Sequence, residues 1–96
     1  MNESNPCDAA LAELLTLTVE VDACGETSYR NQSGLLHRVH GPAVITSSGH
    51  RYWYHNGWPH RKDGAAVELY YGHKVWYLYG KKYTEREFNE QLQSIQ

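Results

Sequence analysis

Residues 34–56 read GLLHRVHGPAVITSSGHRYWYHN, and residues 57–79 follow without a gap as GWPHRKDGAAVELYYGHKVWYLY. The two copies are identical at ten positions, and at an eleventh Arg51 and Lys74 keep the charge. A third copy opens at Gly80 and stops early, as GKKYTEREF. A gapless repeat of 23 residues predicts one short supersecondary unit stacked several times along the chain.

Each copy has the pattern of a β-hairpin followed by a connecting loop. Short runs rich in valine, tyrosine and tryptophan alternate with turn residues, and no window has helical periodicity. Gly49 and Gly72 mark the hairpin turns, and Asn56–Gly57 is a strong turn dipeptide. The expected strands cover residues 43–47, 51–55, 66–71 and 74–79.

The N-terminal flank predicts a short helix and then a degenerate copy of the hairpin. Asn5 and Pro6 are typical of a helix start, and the alternation of apolar and polar residues up to Val21 indicates a strand. Val21 lies 23 residues before Val44, and Tyr29 lies 23 residues before Tyr52. We therefore expect residues 1–33 to add one more hairpin to the array.

The C-terminal flank predicts a helix. Thr84 and Glu87 form a capping-box pattern, and the apolar residues that follow recur at helical spacing. This helix is expected to cap the array; the alternative is that its apolar stripe contacts a partner or a second copy. The overall expectation is a mostly β (α+β) fold: an antiparallel meander of about six strands from 23-residue hairpin repeats, with a short N-terminal helix and a C-terminal capping helix. It forms a single domain over residues 1–96, composed of residues 1–33, 34–83 and 84–96.

Charge is segregated along the chain. Residues 1–33 carry five net negative charges, residues 34–82 carry five net positive charges, and residues 83–96 carry two net negative charges. The distribution fits ordinary solvated strand faces, or a basic surface that meets an acidic partner. The overall acidity and the small basic excess argue against high affinity for nucleic acid, which is therefore an unlikely partner.

The cysteines and the distribution of apolar residues indicate the cellular compartment. Cys7 and Cys24 have no metal-type spacing and suggest free thiols in a reducing compartment. No run of about eighteen apolar residues is present, and the N-terminus lacks the basic region of a secretory signal. We expect a cytoplasmic protein with no membrane segment.

The six histidines and the loop residues indicate neither a metal nor a catalytic centre. His37 and His60 recur at the repeat period, which in stacked hairpins separates equivalent side chains by about 10 Å, too far to share one metal. We expect these histidines to bind loop backbone instead. No nucleophile motif and no glycine-rich phosphate loop occur. The chain is therefore expected to be non-enzymatic, with no catalytic residues, no metal and no cofactor.

Aromatic residues give the strongest functional signal. Tryptophan, tyrosine and arginine are the residue types enriched in interface hot spots, and a small sheet cannot bury all the aromatics of residues 52–79. One sheet face is expected to bind a partner. The predicted partner-binding residues are Arg51, Trp53, His55, Trp58, Lys74 and Trp76.

The motif LHRxxGPA, followed by glycine and then WYxNG, resembles the short HRxDGPA…WYxNG repeats of small phage and bacterial proteins, which are similar to MORN-type hairpin repeats. Here His40 replaces the usual aspartate, Ala65 the usual proline and Tyr79 the usual asparagine. The resemblance implies a β-hairpin array that serves as a scaffold or binding surface. It also implies a phage-encoded inhibitor of a host defence protein, such as an anti-CRISPR, or of another host protein.

Three functions thus stay open. The first is a protein-binding module that docks on a host protein, with a homodimer as a further alternative. The second is a small-ligand binder that holds a nucleotide or a sugar between aromatic rings. The third is a weak single-strand nucleic-acid binder.

Overall fold

A computed structural model describes residues 11–94, and in this range it contains nine short strands. The strands are β1 (Thr18–Val21), β2 (Thr27–Arg30), β3 (Val44–Ile45), β4 (Arg51–Tyr52), β5 (Tyr54–His55), β6 (Trp58–Pro59), β7 (Val67–Glu68), β8 (Lys74–Leu78) and β9 (Lys81–Tyr83). The C-terminal helix covers Glu85–Ser94, and residues 11–14 are also helical. The predicted start of the N-terminal helix lies outside the described residues.

Seven strands form one antiparallel sheet in the order β1-β2-β3-β4-β7-β8-β9, and β5 pairs separately with β6. The predicted mostly β, antiparallel fold is confirmed. The large sheet has seven strands where about six were predicted, because β9 adds to the expected set. The strand expected over residues 51–55 divides at Trp53. Its first half, β4, pairs with β3 and β7, whereas its second half, β5, pairs with β6. The predicted connecting loop therefore contributes β6, the second strand of a shorter hairpin.

The N-terminal hairpin, β1–β2, repeats the architecture of the later copies, as predicted, but its predicted alignment is wrong by one residue. The backbone N–H of Tyr29 donates to the Ala43 carbonyl (2.8 Å), and that of Trp53 donates to the Ala66 carbonyl (2.7 Å). Tyr29 is therefore equivalent to Trp53 and not to Tyr52.

The alignment shifts by one residue because the turn at Gly34 is one residue longer than the equivalent turn of the next copy. Asn31 N–H donates to the Leu35 carbonyl, so three residues separate the two strand ends, and Gly34 has a φ of 85°. The next copy makes the same reversal with only Asn56 and Gly57 between its strand ends. Both turns are common hairpin connections, so the array accepts either length.

The two-residue turns impose a left-handed backbone on both central residues. Asn56 and Gly57 have φ angles of 48° and 86°, and Tyr79 and Gly80 have 50° and 85°. Positive φ at both positions is what a type I′ hairpin turn requires. Asparagine and glycine adopt this conformation readily, whereas a tyrosine does so at a cost.

The core lies between consecutive copies and consists of few residues. Ala43 and Ala66, at equivalent positions, have no exposed surface, and the indole of Trp53 is only 8% exposed. The buried apolar residues are Ala43, Val44, Trp53, Ala65, Ala66, Leu78 and Phe88. Because two of the central positions are fully enclosed alanines, the copies have little room for larger side chains there.

The C-terminal helix closes the β8–β9 end of the sheet. Thr84 N–H donates to Glu87 Oε1 (3.0 Å) and Glu87 N–H donates to Thr84 Oγ1 (3.1 Å), which confirms the capping box. Phe88 is buried at 2% exposure, and the helix contacts β8 and β9. Across residues 11–94, helices fall short of the length and apolar character needed to cross a bilayer.

Candidate binding site at the turn ends

An arginine from each copy covers an aromatic ring of the copy before it. The guanidinium carbon of Arg38 lies 4.1 Å from the ring centroid of Tyr29, and that of Arg61 lies 3.9 Å from Trp53. Such stacking combines a cation–π attraction with burial of the ring. It explains why Trp53, predicted to bind a partner, is instead a core residue.

The glycine three residues after each arginine makes room for this stack. A Cβ at Gly41 would lie 2.9 Å from the guanidinium carbon of Arg38, and a Cβ at Gly64 would lie 3.0 Å from that of Arg61. Neither glycine has a positive φ. The HRxxG motif therefore needs its glycine for space and not for backbone conformation.

The histidine before each arginine fixes the next turn, which confirms the prediction of a backbone contact. Asn56 N–H donates to Nδ1 of His37 (3.0 Å), and Tyr79 N–H donates to Nδ1 of His60 (2.9 Å). Burial, and then the nearby His55, lowers the pKa of both His37 and His60. Both rings are therefore neutral at pH 7, with the proton on Nε2.

Four rings form a row along the turn ends. The centroids of His37 and His55 are 4.7 Å apart, those of His55 and His60 are 5.7 Å apart, and those of His60 and Tyr79 are 4.0 Å apart. Despite this proximity, residues 11–94 contain no group of three His, Cys, Asp or Glu side chains placed to hold a metal.

A basic cavity of about 390 Å³ opens beside this row. Arg38, Arg61 and Lys62 contribute its positive charges, and Asp63 contributes its one acid. The remaining lining residues are Val39, Trp53, His55, His60 and Tyr79. Its volume falls within the usual range for ligand pockets.

Exposed aromatic rings adjoin this cavity. Tyr79 is 60% exposed, and Trp58, paired with His55, is 57% exposed. Trp58 lies over Gly80, where a Cβ would come within 2.2 Å of the indole. We call the cavity together with Trp58 the turn-end surface.

The two stacking arginines differ in their acidic partners. Arg61 donates through Nε to Asp63 (2.9 Å) and through Nη1 to Glu68 (3.0 Å) and the Ala65 carbonyl (3.0 Å). Arg38 donates through Nη1 to the Pro42 carbonyl (3.2 Å), but its buried Nε has no hydrogen-bond partner among the described residues. Of these two arginines, only Arg61 has its charge compensated by acids within residues 11–94.

The loop after Arg38 holds a carboxylate from the N-terminal segment. Glu13 accepts hydrogen bonds from the backbone N–H groups of Val39 and His40, and Nδ1 of His40 lies 3.2 Å from its Oε1. Burial alone would raise the pKa of Glu13, but the two backbone hydrogen bonds and the His40 ring together lower it.

A second exposed aromatic group lies at the opposite ends of the hairpins. Tyr70 and Tyr71 are 68% and 65% exposed, and they contact the rings of His50 and His73. Tyr70 N–H donates to Nδ1 of His50 (3.1 Å). We call these four residues the distal aromatic cluster; it has neither the cavity nor the arginines of the turn-end surface.

The six residues predicted to bind a partner do not form one surface. Trp53 and His55 line the cavity, and Trp58 lies beside it. Lys74 and Trp76 line a separate cleft of about 490 Å³ at the start of the C-terminal helix. Arg51, by contrast, is held 3.6 Å from Glu68, on the outer side of the Arg61 ion pairs.

Residues that the sequence analysis did not predict to bind a partner complete the turn-end surface. They are Arg38, His60, Arg61, Lys62 and Tyr79. The recurrence of His-Arg at the repeat period was the available signal, but it cannot reveal that the arginine reaches back to the preceding copy.

The fold is an array of β-hairpins in which each of the two full copies is joined to the preceding one by an arginine–aromatic stack. Neither a protein-family model, nor a curated protein, nor a solved structure matches the chain.

Proposed function

We propose that this chain is a non-enzymatic module that binds a partner protein through its turn-end surface. The observation that carries the proposal is the exposure of two aromatic side chains at a basic cavity: Tyr79 lines it, and Trp58 is the cross-strand partner of His55, which also lines it. Large aromatic side chains next to arginine are typical of the centres of protein interfaces, where a few residues dominate the binding energy.

Charge favours an acidic partner. Within residues 11–94, Arg38 has no acidic partner and Lys62 makes no ion pair, so both charges are available to another molecule. Asp63 does not offset them, because it is bound to Arg61. A positive patch of this kind speeds the encounter with an acidic surface and fixes its orientation.

The biological setting follows from the repeat resemblance and is equally a proposal. Small phage proteins with hairpin repeats suggest an inhibitor of a host defence protein or of another host protein. The site of action would then be the host cytoplasm. The module would act by occupying a surface of its target and not by catalysis.

The experiment is a quantitative capture of partners from a bacterial host lysate with three forms of the tagged protein. Tyr79→Asn removes a ring from the turn-end surface and places at positive φ a residue that tolerates it. Tyr71→Asn makes the same substitution at a similarly exposed tyrosine of the distal aromatic cluster.

We expect one protein to be recovered in stoichiometric amount by the unchanged chain and by Tyr71→Asn, and at least tenfold less by Tyr79→Asn. The reverse order would assign binding to the distal aromatic cluster and contradict the proposal. Recovery of no stoichiometric protein by any form would also contradict it.

The volume of the cavity favours a second candidate function, the binding of a small anionic ligand such as a nucleotide. Stacking against Tyr79 and His60 and contact with Arg38 and Lys62 would provide the interactions. A thermal-shift panel of nucleotides and glycans tests this candidate. A raised melting temperature that is lost in Tyr79→Asn supports it, and a flat panel rules against it.

A further inference from the structure

Arg38 and Arg61 occupy equivalent places in consecutive copies, yet of the two only Arg61 is hydrogen-bonded to acids within residues 11–94. The position equivalent to Asp63 is His40, and the position equivalent to Glu68 is Ile45. Arg61 shows what a stacked arginine of this repeat binds when an acid is nearby. Its Nε donates to the carboxylate of Asp63, at 2.9 Å.

In the described part of the chain, one whole edge of the Arg38 guanidinium is without a hydrogen-bond partner. The group donates to Pro42 through Nη1, while no hydrogen bond within the described residues involves Nε or Nη2. Nε and Nη2 form the side that binds a carboxylate through two parallel hydrogen bonds. Nε is sealed from solvent and Nη2 is not, so an approaching carboxylate first meets Nη2.

Among the described residues, the acid that contacts the loop after Arg38 does not serve this edge. Glu13 lies against the same loop, but its carboxylate is held by the backbone of Val39 and His40 and by the His40 ring. Arg38 also lines the cavity of the turn-end surface, from which another molecule can reach it. An arginine on a cavity wall, with no acid bound to it among the described residues, can bind an acid of another molecule.

We propose that Arg38 is a recognition site for a carboxylate side chain, aspartate or glutamate, on the partner protein. The proposal rests on the proposed function and names the chemistry of the partner. The partner's carboxylate gives Arg38 the acidic partner that Asp63 gives Arg61. A charge-assisted hydrogen bond between an arginine and a carboxylate changes affinity by about tenfold to a hundredfold.

The direct test observes the Nε–Hε signals of both arginines by NMR during titration with a blocked aspartate, N-acetyl-aspartate N-methylamide. The blocked asparagine is the neutral control, and inorganic phosphate is the competing anion. Arg61 is the internal reference, because Asp63 already occupies its Nε. We expect a saturable shift at Arg38 with the aspartate probe, none with the asparagine probe and none at Arg61.

His40→Asp supplies the missing acid within the chain. In this variant the Arg38 signal is expected to move toward that of Arg61 without any probe, and the response to the aspartate probe to weaken at least tenfold. Glu13→Gln is the matched control, because it loosens the same loop without adding an acid near Arg38; its response is expected to match that of the unchanged chain.

Arg38→Lys keeps the charge but removes the two-donor edge, and it is used if the aspartate introduced by His40→Asp does not pair with Arg38. For this variant, binding of the aspartate probe is monitored through the backbone NMR signals of the loop around Gly41. We expect the binding to be tenfold weaker than in the unchanged chain. The proposal is overturned if Arg38 gives no saturable response, if both blocked amino acids act alike, or if phosphate binds more tightly than the aspartate probe.

Failure of this proposal can be told apart from failure of the proposed function. If the captured partner depends on Tyr79 but is recovered equally by His40→Asp, the turn-end surface binds without a carboxylate at Arg38. If the aspartate probe saturates Arg38 but no partner is captured, the carboxylate site stands and the proposed function fails.

Discussion

The guanidinium carbon of Arg61 lies 3.9 Å from the ring centroid of Trp53, which belongs to the preceding copy of the repeat. This contact buries the indole and brings the arginine to the wall of the cavity. Because Arg61 also binds Asp63 and Glu68, one side chain joins the core, the sheet and the turn-end surface. Stability and binding are therefore linked in the same loop.

Removing Arg61 is expected to cost more stability than removing Arg38. Arg61→Ala uncovers Trp53 and leaves Glu68 with only a long contact to Arg51, so we expect a loss of about 2–4 kcal/mol. Arg38→Ala uncovers Tyr29 but breaks no ion pair within the described residues, and we expect about 1–2 kcal/mol. Urea unfolding measures both values.

Arg51→Ala is the control for these substitutions. Its contact with Glu68 is exposed and long, at 3.6 Å, so we expect a change below about 1 kcal/mol. A larger loss for Arg38→Ala than for Arg61→Ala would contradict the account of the ion pairs.

Gly64→Ala is expected to act through Arg61. The added Cβ would lie 3.0 Å from the guanidinium carbon and displace it from Trp53, at a cost of about 1–3 kcal/mol. The double variant with Arg61→Ala checks the mechanism, since the cost of Gly64→Ala should then disappear. Additive costs would show that the glycine has a separate role.

At position 79, glycine is expected to give a more stable protein than alanine, the reverse of the usual order. Both Tyr79→Gly and Tyr79→Ala lose the ring contact with His60, but only glycine is free of strain at a φ of 50°. We expect the glycine variant to be more stable than the alanine variant by about 1 kcal/mol in urea unfolding. Equal stability, or a more stable alanine variant, would show that the turn is not held at positive φ.

Stability is expected to fall as the pH drops below the ordinary histidine pKa of 6.5. The pKa values of His37 and His60 are lowered in the folded protein, so the unfolded chain binds more protons in this range. The contribution of these histidines to the free energy of unfolding is therefore complete above about pH 6.5. It is lost as the pH falls through their lowered pKa values in the folded protein. Urea unfolding at several pH values above about 5 follows this decrease.

The double variant His37→Asn, His60→Asn is the control for the pH dependence. The asparagine Oδ1 can still accept the N–H groups of Asn56 and Tyr79, but it does not titrate. We expect a flatter pH profile above about pH 5, because Glu13, whose pKa lies below 4.5, titrates at lower pH. An unchanged slope would assign the pH dependence to other groups.

Much of the fold could be predicted because it follows from local rules. The turn glycines, the alternating strands and the Thr84–Glu87 cap depend on residues close in sequence. The one-residue shift of the first copy could not be predicted, because turns with two and three residues between strands are both acceptable and Asn31–Gly34 does not reveal which is used.

The site was less predictable because it depends on contacts between copies. The sequence marks Trp53 as an aromatic residue of a strand, but only the fold places Arg61 over it. The same contact buries Trp53 and places Arg61 at the wall of a cavity. In the sequence, this arginine is only part of a loop motif. The sequence shows that His40 replaces the aspartate of the repeat pattern. It does not show that Arg38 thereby loses the acid that Asp63 provides to Arg61.

The central claim, that the turn-end surface binds the partner, is tested most directly by hydroxyl-radical footprinting of the unchanged protein with and without its captured partner. Trp58 and Tyr79 report on the turn-end surface, and the similarly exposed Tyr70 and Tyr71 report on the distal aromatic cluster. The account predicts that the partner strongly reduces oxidation of Trp58 and Tyr79 and leaves that of Tyr70 and Tyr71 unchanged. Protection of Tyr70 and Tyr71, with Trp58 and Tyr79 still reactive, would contradict it.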